Sequence, residues 1–334
     1  MTRRDFLTTV AAAPLLAEGR TAMGFTPDSF TISRPPRAAL EFLEHAHSLN
    51  AGGAQASLAS LDADYLKKVR ARAGQLGMYF EVTTSLPKED TGPFEATVQA
   101  AKEAGADSIR AVCLGGRRYE TFSSLEQWKA FVTDSHARIA RAAPIVNKHR
   151  MPLGIENHKD WTAEEMVPLL KRYSSEYLGV CIDFGNNMAL LDDPIELVES
   201  LAPFVINTHI KDMGVEEYPD GFLLSEVPLG QGILDLKRII STLRKYRPSV
   251  KFSLDMLTRN PLLIPCLTEK YWITFTERNG KFLARALALV RKNKPPKPLP
   301  RIDGLDRTAL LKMETENVTQ SVAYARDGLG LRVT

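Results

Sequence analysis

Strand-like and helix-like segments alternate along most of this 334-residue chain. That alternation limits the available folds more than any other feature. Apolar runs of strand length fall at Ser29–Ser33, Gly53–Ser57, Met78–Thr84, Ser108–Val112, Pro152–His158, Leu178–Phe184, Phe204–Asp212 and Val250–Met256. Helical patterns fill the intervals, at Ala38–Leu49, Asp62–Leu76, Phe94–Ala104, Leu125–Asn147, Ala163–Tyr173, Pro194–Leu201, Leu236–Tyr246 and Asn279–Lys292. Eight strand–helix pairs close a parallel (β/α)8 barrel, an α/β TIM barrel in which the active site gathers at the C-terminal strand ends.

The last four strands each deliver one polar, metal-type residue at that end: Glu156, Asp183, His209 and Asp255. Side chains alternate across a strand. If these four face the barrel interior, so do Gly154, His158, Gly179, Cys181, Asn207, Lys211 and Ser253. The alternates Leu153, Ile155, Val180, Ile182, Ile206, Phe252 and Leu254 then face the helices. The inward set is small or polar and the outward set apolar. A simple buried strand does not sort its residues this way, so the spacing predicts that the four positions line one cavity.

Three carboxylates and one imidazole make a hard, oxygen-rich site suited to Mn²⁺ or Mg²⁺, with Co²⁺ and Zn²⁺ as alternatives. Lys211 or Arg259 is expected to offset the excess negative charge. A carboxylate pair beside a divalent ion is what α-proton transfer next to a carbonyl requires.

Composition agrees with an ordinary globular enzyme: 44% apolar, 25% charged, net charge +3. The spread of charge gives no case for a nucleic-acid partner. Three widely spaced cysteines read as buried thiols. Residues 1–20 stand apart, residues 22–293 form the catalytic barrel, and residues 294–334 form a Pro-rich, solvated linker with a terminal helix at Arg307–Arg326. That helix is expected to pack on the barrel or on a second subunit of a homo-oligomer. The start, Thr2-Arg3-Arg4-Asp5-Phe6-Leu7 followed by an Ala-rich stretch, resembles a twin-arginine export signal. It implies a periplasmic protein with no stable membrane insertion after export.

Five motifs, GIENHKDW (154–161), VCIDFGNN (180–187), HIKDM (209–213), VPLGQGILDL (227–236) and LDMLTRNP (254–261), together resemble the xylose isomerase-like TIM-barrel superfamily. The branch they are most similar to is that of the sugar phosphate isomerases and epimerases. The resemblance implies that Glu156, Asp183, His209 and Asp255 bind a divalent metal, most simply Mn²⁺. It implies that Glu156 and Asp255 shuttle protons on a small carbohydrate, and that His158 and Lys211 contact substrate or order the ligands. Two departures stand out. Asp255 occupies a position where this family usually has Glu. Asn186 stands where ketose epimerases have His, and an amide can bond a hydroxyl but does no acid–base work.

Arg117 and Arg118, after the fourth strand, are candidates to reach a substrate, with Arg259 near the last ligand. Glu81 faces the cavity or pairs with one of those arginines. The LGQG run (229–232) allows a tight turn at the mouth. The expected function is a metal-dependent sugar isomerase or epimerase. The alternatives are a lyase that cleaves 3-keto-glycosides by β-elimination at the same site, a non-catalytic sugar-binding barrel, and an apurinic endonuclease, for which this chain has too few histidines.

Overall fold

The computed structural model describes residues 21–333; the expected leader, residues 1–20, lies outside the described residues. Eleven strands are present in it. They are β1 (Met23–Phe25), β2 (Gly53–Ala56), β3 (Tyr79–Thr83), β4 (Ser108–Val112), β5 (Leu153–Glu156), β6 (Leu178–Asp183), β7 (Val205–Ile210), β8 (Asp212–Tyr218), β9 (Gly221–Val227), β10 (Phe252–Leu254) and β11 (Leu262–Ile264). Eight of them close a barrel in the order β1-β10-β7-β6-β5-β4-β3-β2, all pairs parallel. The (β/α)8 architecture is therefore as the alternation implies.

The helices follow because their apolar residues recur at helical spacing and their ends are capped. The helix Ala163–Tyr173 begins with a capping box, in which Thr162 accepts from Glu165 N–H while Glu165 reaches back to Thr162 N–H. It buries Met166, Leu169 and Leu170 against the sheet. Leu236–Tyr246 is capped by Asp235 and buries Leu236, Ile239, Ile240 and Leu243. The outward strand residues Ile155, Val180, Ile182, Phe252 and Leu254 are all fully buried in the core they share with these helices.

Three features differ from expectation. The first strand is Met23–Phe25, not Ser29–Ser33. Pro27 starts a short 3-10 helix over Pro27–Phe30, and Ser29 donates its hydroxyl to Leu254 O at 2.8 Å while accepting from Met256 N–H. The β-branched run that suggested a strand is a turn pinned by Glu314, which accepts from Ile32 and Ser33 N–H. Secondly, β8, β9 and β11 form an antiparallel sheet outside the barrel. Thirdly, the Pro-rich segment is not simply solvated. Leu299 is 5% exposed, and its N–H donates to Glu216.

The terminal helix Arg307–Asp327 packs on the barrel through Glu314 and through Asn317, which donates to Thr258. Cys113, Cys181 and Cys266 are buried and free. Among the described residues, no helix is long and apolar enough to cross a membrane.

Candidate active site

The C-terminal strand ends bring the four expected residues together. Glu156 and Asp183 end β5 and β6, His209 sits next to the end of β7, and Asp255 follows β10 directly. Registers pair Asp183 with His209, and Ser253 with His209. Their exposures are 0%, 0%, 2% and 8%. Candidate ligand atoms of Asp183, His209 and Asp255 lie within 4.8 Å of one another, and so do those of Glu156, Cys181 and His209.

His209 is held from below. Its Nε2 is 2.9 Å from Gln55 Oε1, an acceptor, so the proton resides on Nε2 in the neutral ring. Nδ1 is left buried without a hydrogen-bond partner, 3.5 Å from Glu156 Oε2 and 3.9 Å from Asp183 Oδ2. A ligating histidine is oriented in this manner by a bond on its far nitrogen.

Two cations share the carboxylates. Lys211 Nζ lies 2.7 Å from Asp183 Oδ2 and 2.6 Å from Asp255 Oδ2. The Asp183 contact lacks hydrogen-bond geometry, since that oxygen counts as unpartnered. Arg110, from β4, forms an ion pair with Glu156. Sequence reasoning missed Arg110, although its alternation with Ser108 in SIRAV was a usable signal.

Burial pushes every one of these carboxyls up. For Glu156 the charge of Arg110, joined by that of His209 when its ring is protonated, outweighs it and holds the group well below the usual range. For Asp255, Lys211 and a protonated His209 do the same. For Asp183 burial prevails despite Lys211, because Glu156 and Asp255 repel its charge, so that carboxyl is raised. Burial brings His158 down to about 4.

Local sequence explains the placement. Asn157 clamps the backbone of Asp183, accepting from its N–H at 2.8 Å and donating to its C=O at 2.9 Å. Asp183 Oδ1 accepts from Gly185 and Asn186 N–H. Gly154 is required, since a Cβ there would sit 2.3 Å from Asn207 Oδ1 inside the barrel. Asn186 is buried, and its amide is spent within the protein. Nδ2 donates to Glu156 Oε1 at 3.2 Å, and Oδ1 accepts from Lys159 and Lys211.

Above the four residues opens a cavity of about 270 Å³ whose wall includes His158, Lys159, Lys211, Asp255, Arg117 and Arg259. His158 Nδ1 is bonded to Leu114 O. Arg117 is paired with Glu120. Arg259 neutralises Glu226 of β9 and not the metal-type carboxylates. A larger cavity, about 630 Å³, lies outside the barrel among Val167, Leu197 and Phe282. It gathers none of these four residues, so the smaller cavity is the site.

One expectation is corrected, one alternative is decided, and the expected LGQG turn is present. Arg118 does not reach the cavity. It is fully buried, donates to Glu165 and Thr274, and stacks on Trp128 and Phe275 at 3.6 and 4.2 Å. Glu81 pairs with no arginine; it accepts from Gln55 and Ser108 on the barrel floor. The LGQG turn folds around the Asp212 carboxylate, which accepts from Gly230, Gly232 and Leu234 N–H.

The residues fit a divalent ion. The donor set is oxygen-rich, His209 Nδ1 is a buried atom without a partner, and it belongs to both groups of candidate ligands, one with Asp183 and Asp255 and one with Glu156 and Cys181.

A family model described as xylose isomerase-like TIM barrel matches residues 43–273. Over 191 residues the chain is 27% identical to 3-oxo-isoapionate decarboxylase of Pectobacterium atrosepticum, which covers 57% of this chain and 65% of that relative. The chain thus spans just under two thirds of the relative's length. The crystal structure of D-psicose 3-epimerase in the presence of D-fructose superimposes with a TM-score of 0.59 at 14% identity, over 92% of this chain and 99% of that one. A xylose isomerase-like TIM barrel protein from Mycobacterium smegmatis, in complex with magnesium, does so at 0.55 and 15%, over 80% and 98%. Identities this low in the solved structures speak for the fold. Taken with the match over residues 43–273, they leave one conclusion: the chain belongs to the xylose isomerase-like TIM barrel family.

Proposed function

We propose that this protein is a divalent-metal-dependent sugar isomerase or epimerase that enolises a carbonyl-bearing sugar. The observation that carries the reading is the unpartnered Nδ1 of His209, buried among Glu156, Asp183 and Asp255 at the strand ends. Those four residues would hold the ion, most simply Mn²⁺, which supplies polarisation of the substrate carbonyl. Asp255 lies on the cavity wall and stays ionised at neutral pH, so it can accept the α-proton. Asp255 can return the proton it has taken, whereas Glu156, ionised in the resting site, must first take up a proton before it can deliver one from its own side. A carboxylate held this low is a weak base. The transfer becomes feasible because the ammonium of Lys211 and the guanidinium of Arg110 meet the negative charge that develops on the enediolate.

A second reading keeps the enolate but reaches or leaves it differently: β-elimination abstracts the α-proton and then expels the aglycone, whereas decarboxylation forms the enolate by losing CO₂ and then takes up a proton. A curated relative is named a decarboxylase of a 3-oxo acid. Both decarboxylation and β-elimination from a 3-keto-glycoside pass through an enolate stabilised in the same way.

The test is proton exchange in D₂O, with the Mn²⁺-loaded protein and a panel of ketoses and 3-keto-glycosides, followed by NMR. Metal-dependent deuterium uptake that vanishes in Glu156→Gln is expected. An epimer or a released aglycone then separates the two readings. Tight metal binding without exchange on any member of the panel would instead indicate a binding protein. Export through the twin-arginine pathway is part of the proposal for residues 1–20 and is checked by the N-terminal mass of periplasmic protein.

A further inference from the structure

Five cationic side chains line the cavity above the site: Arg110, Arg117, Lys159, Lys211 and Arg259. Four have carboxylate partners. Arg110 is paired with Glu156, Arg117 with Glu120, Lys211 with Asp183 and Asp255, and Arg259 with Glu226. Asp28, the remaining acid on the wall, is bonded to Arg37 at 2.7 Å. No carboxylate of the described residues is left for Lys159. Its ammonium bonds the neutral amide oxygen of Asn186, and the residue is 5% exposed.

A buried ammonium without a carboxylate in direct contact is costly. Burial and the charge of Lys211 bring this one down to about 8 against the pull of Asp183 and Glu226, neither of which is in ion-pair contact with it, so it remains protonated near neutral pH. The backbone is unusual as well. Lys159 has φ 59°, the left-handed region that a non-glycine residue enters at a cost. Two unfavourable features on one cavity-lining residue mark a functional position, and the missing element is a negative charge from outside the chain.

We propose that Lys159, flanked by Arg117 and Arg259, binds a carboxylate of the substrate, so that the preferred ligand is a keto-sugar acid and not a neutral ketose. The inference rests on the enolisation reading of this site and narrows its substrate class. The single ammonium and the cavity of about 270 Å³ suit a monosaccharide-sized acid. A phosphate dianion is served better by several convergent donors free of internal partners.

The test uses calorimetric titration of the full-length, Mn²⁺-loaded protein with D-arabinonate and D-arabinitol, which differ in carboxylate against hydroxymethyl. Arabinonate is expected to bind at least about tenfold tighter. Lys159→Met should erase the difference while leaving arabinitol within about twofold, and Lys159→Arg should retain it. A preference that survives in Lys159→Met would place the carboxylate on the metal and overturn the proposal. So would equal binding of the two probes. Tighter binding of D-arabinitol 5-phosphate, lost in the same variant, would overturn the assignment to a carboxylate. If thermal melts show both Lys159 variants unfolded, Arg117→Gln, at a partly exposed position, takes their place; an unchanged preference there overturns the proposal. Deuterium exchange keeps the two readings apart. Exchange on a neutral ketose without any preference for the acid sinks this inference alone. Acid preference without exchange sinks enolisation alone.

Discussion

The floor and the mouth of the barrel bury carboxylates equally well and treat them in opposite ways. On the floor, Glu81 is 1% exposed and its neighbours are neutral: Gln55, Ser108 and Ser253. Burial therefore carries it up to about 7. At the mouth, Glu156 is 0% exposed, yet Arg110, joined by His209 when its ring is protonated, holds it far below the usual range. Burial alone does not decide which carboxylate is charged: the cation beside Glu156 holds it low, while Asp183 stays raised beside Lys211 because Glu156 and Asp255 repel its charge. His209 joins the two layers, with Nε2 bonded to Gln55 and Nδ1 facing the mouth. The floor holds the imidazole in the tautomer that the mouth requires.

The sharpest test of this contrast is one substitution made in each layer. Glu156→Gln is expected to lower the rate of deuterium exchange by about 10²–10⁴-fold, the range for losing a positioned acid or base. Glu81→Gln should leave it within about tenfold. Equal losses would erase the distinction between a working mouth and a structural floor.

Lys211→Met leaves Asp183 and Asp255 without their ammonium. In chelator it should cost about 3–5 kcal/mol of stability, as breaking a buried pair does. Mn²⁺ should then restore more to the variant than to the parent, because the ion supplies the missing positive charge. Thermal melts with and without Mn²⁺ measure both numbers. Equal Mn²⁺ stabilisation of the two proteins would remove the carboxylates from the ion's ligand set.

Glu81 also makes stability depend on pH. Its folded value of about 7 lies above the ordinary 4.5, so the folded state holds that proton while the unfolded chain releases it. This contribution is fully present below about pH 4.5 and is lost as pH rises through 7, a difference on the order of 3 kcal/mol. Glu81→Gln should flatten that slope in urea titrations at pH 5 and pH 8. A slope unchanged in the variant would show that the floor is solvated.

Arg118 provides a control outside both layers. Arg118→Lys keeps the charge but loses the stack on Trp128 and Phe275. It should cost about 1–2 kcal/mol and leave exchange untouched. Lower exchange in a fully folded variant would restore Arg118 to the site. The smallest effect concerns Lys159: arabinonate affinity should decline above about pH 8 as the ammonium loses its proton, while arabinitol affinity stays flat.

Much of the mouth was legible because strand alternation is strictly local. Once β5, β6, β7 and β10 are recognised, period two assigns Glu156, Asp183, His209 and Asp255 to one face without knowledge of the neighbours. The same rule applied to SIRAV would have placed Arg110 beside Ser108 on the interior. The alternation was applied only to the four strands that end in metal-type residues. The three-residue strand Met23–Phe25 was missed because its pairing comes from Phe252–Leu254 far along the chain, while the β-branched run nearby drew the assignment. The hairpin β8–β9 was missed because it continues directly from Lys211 with no helix to announce it.

The sequence by itself determined the barrel, through eight alternating units, and the identity of the four metal-type residues, through periodicity. Only the tertiary structure decided how their charges are balanced. Arg110, Lys159, Lys211 and Arg259 come from different segments, and their partners are matched across the barrel mouth. Which cation meets which carboxylate, and which is left without one, depends on distances of a few ångströms between strand ends. Coulomb energies in a buried site turn on those distances, and no local pattern encodes them.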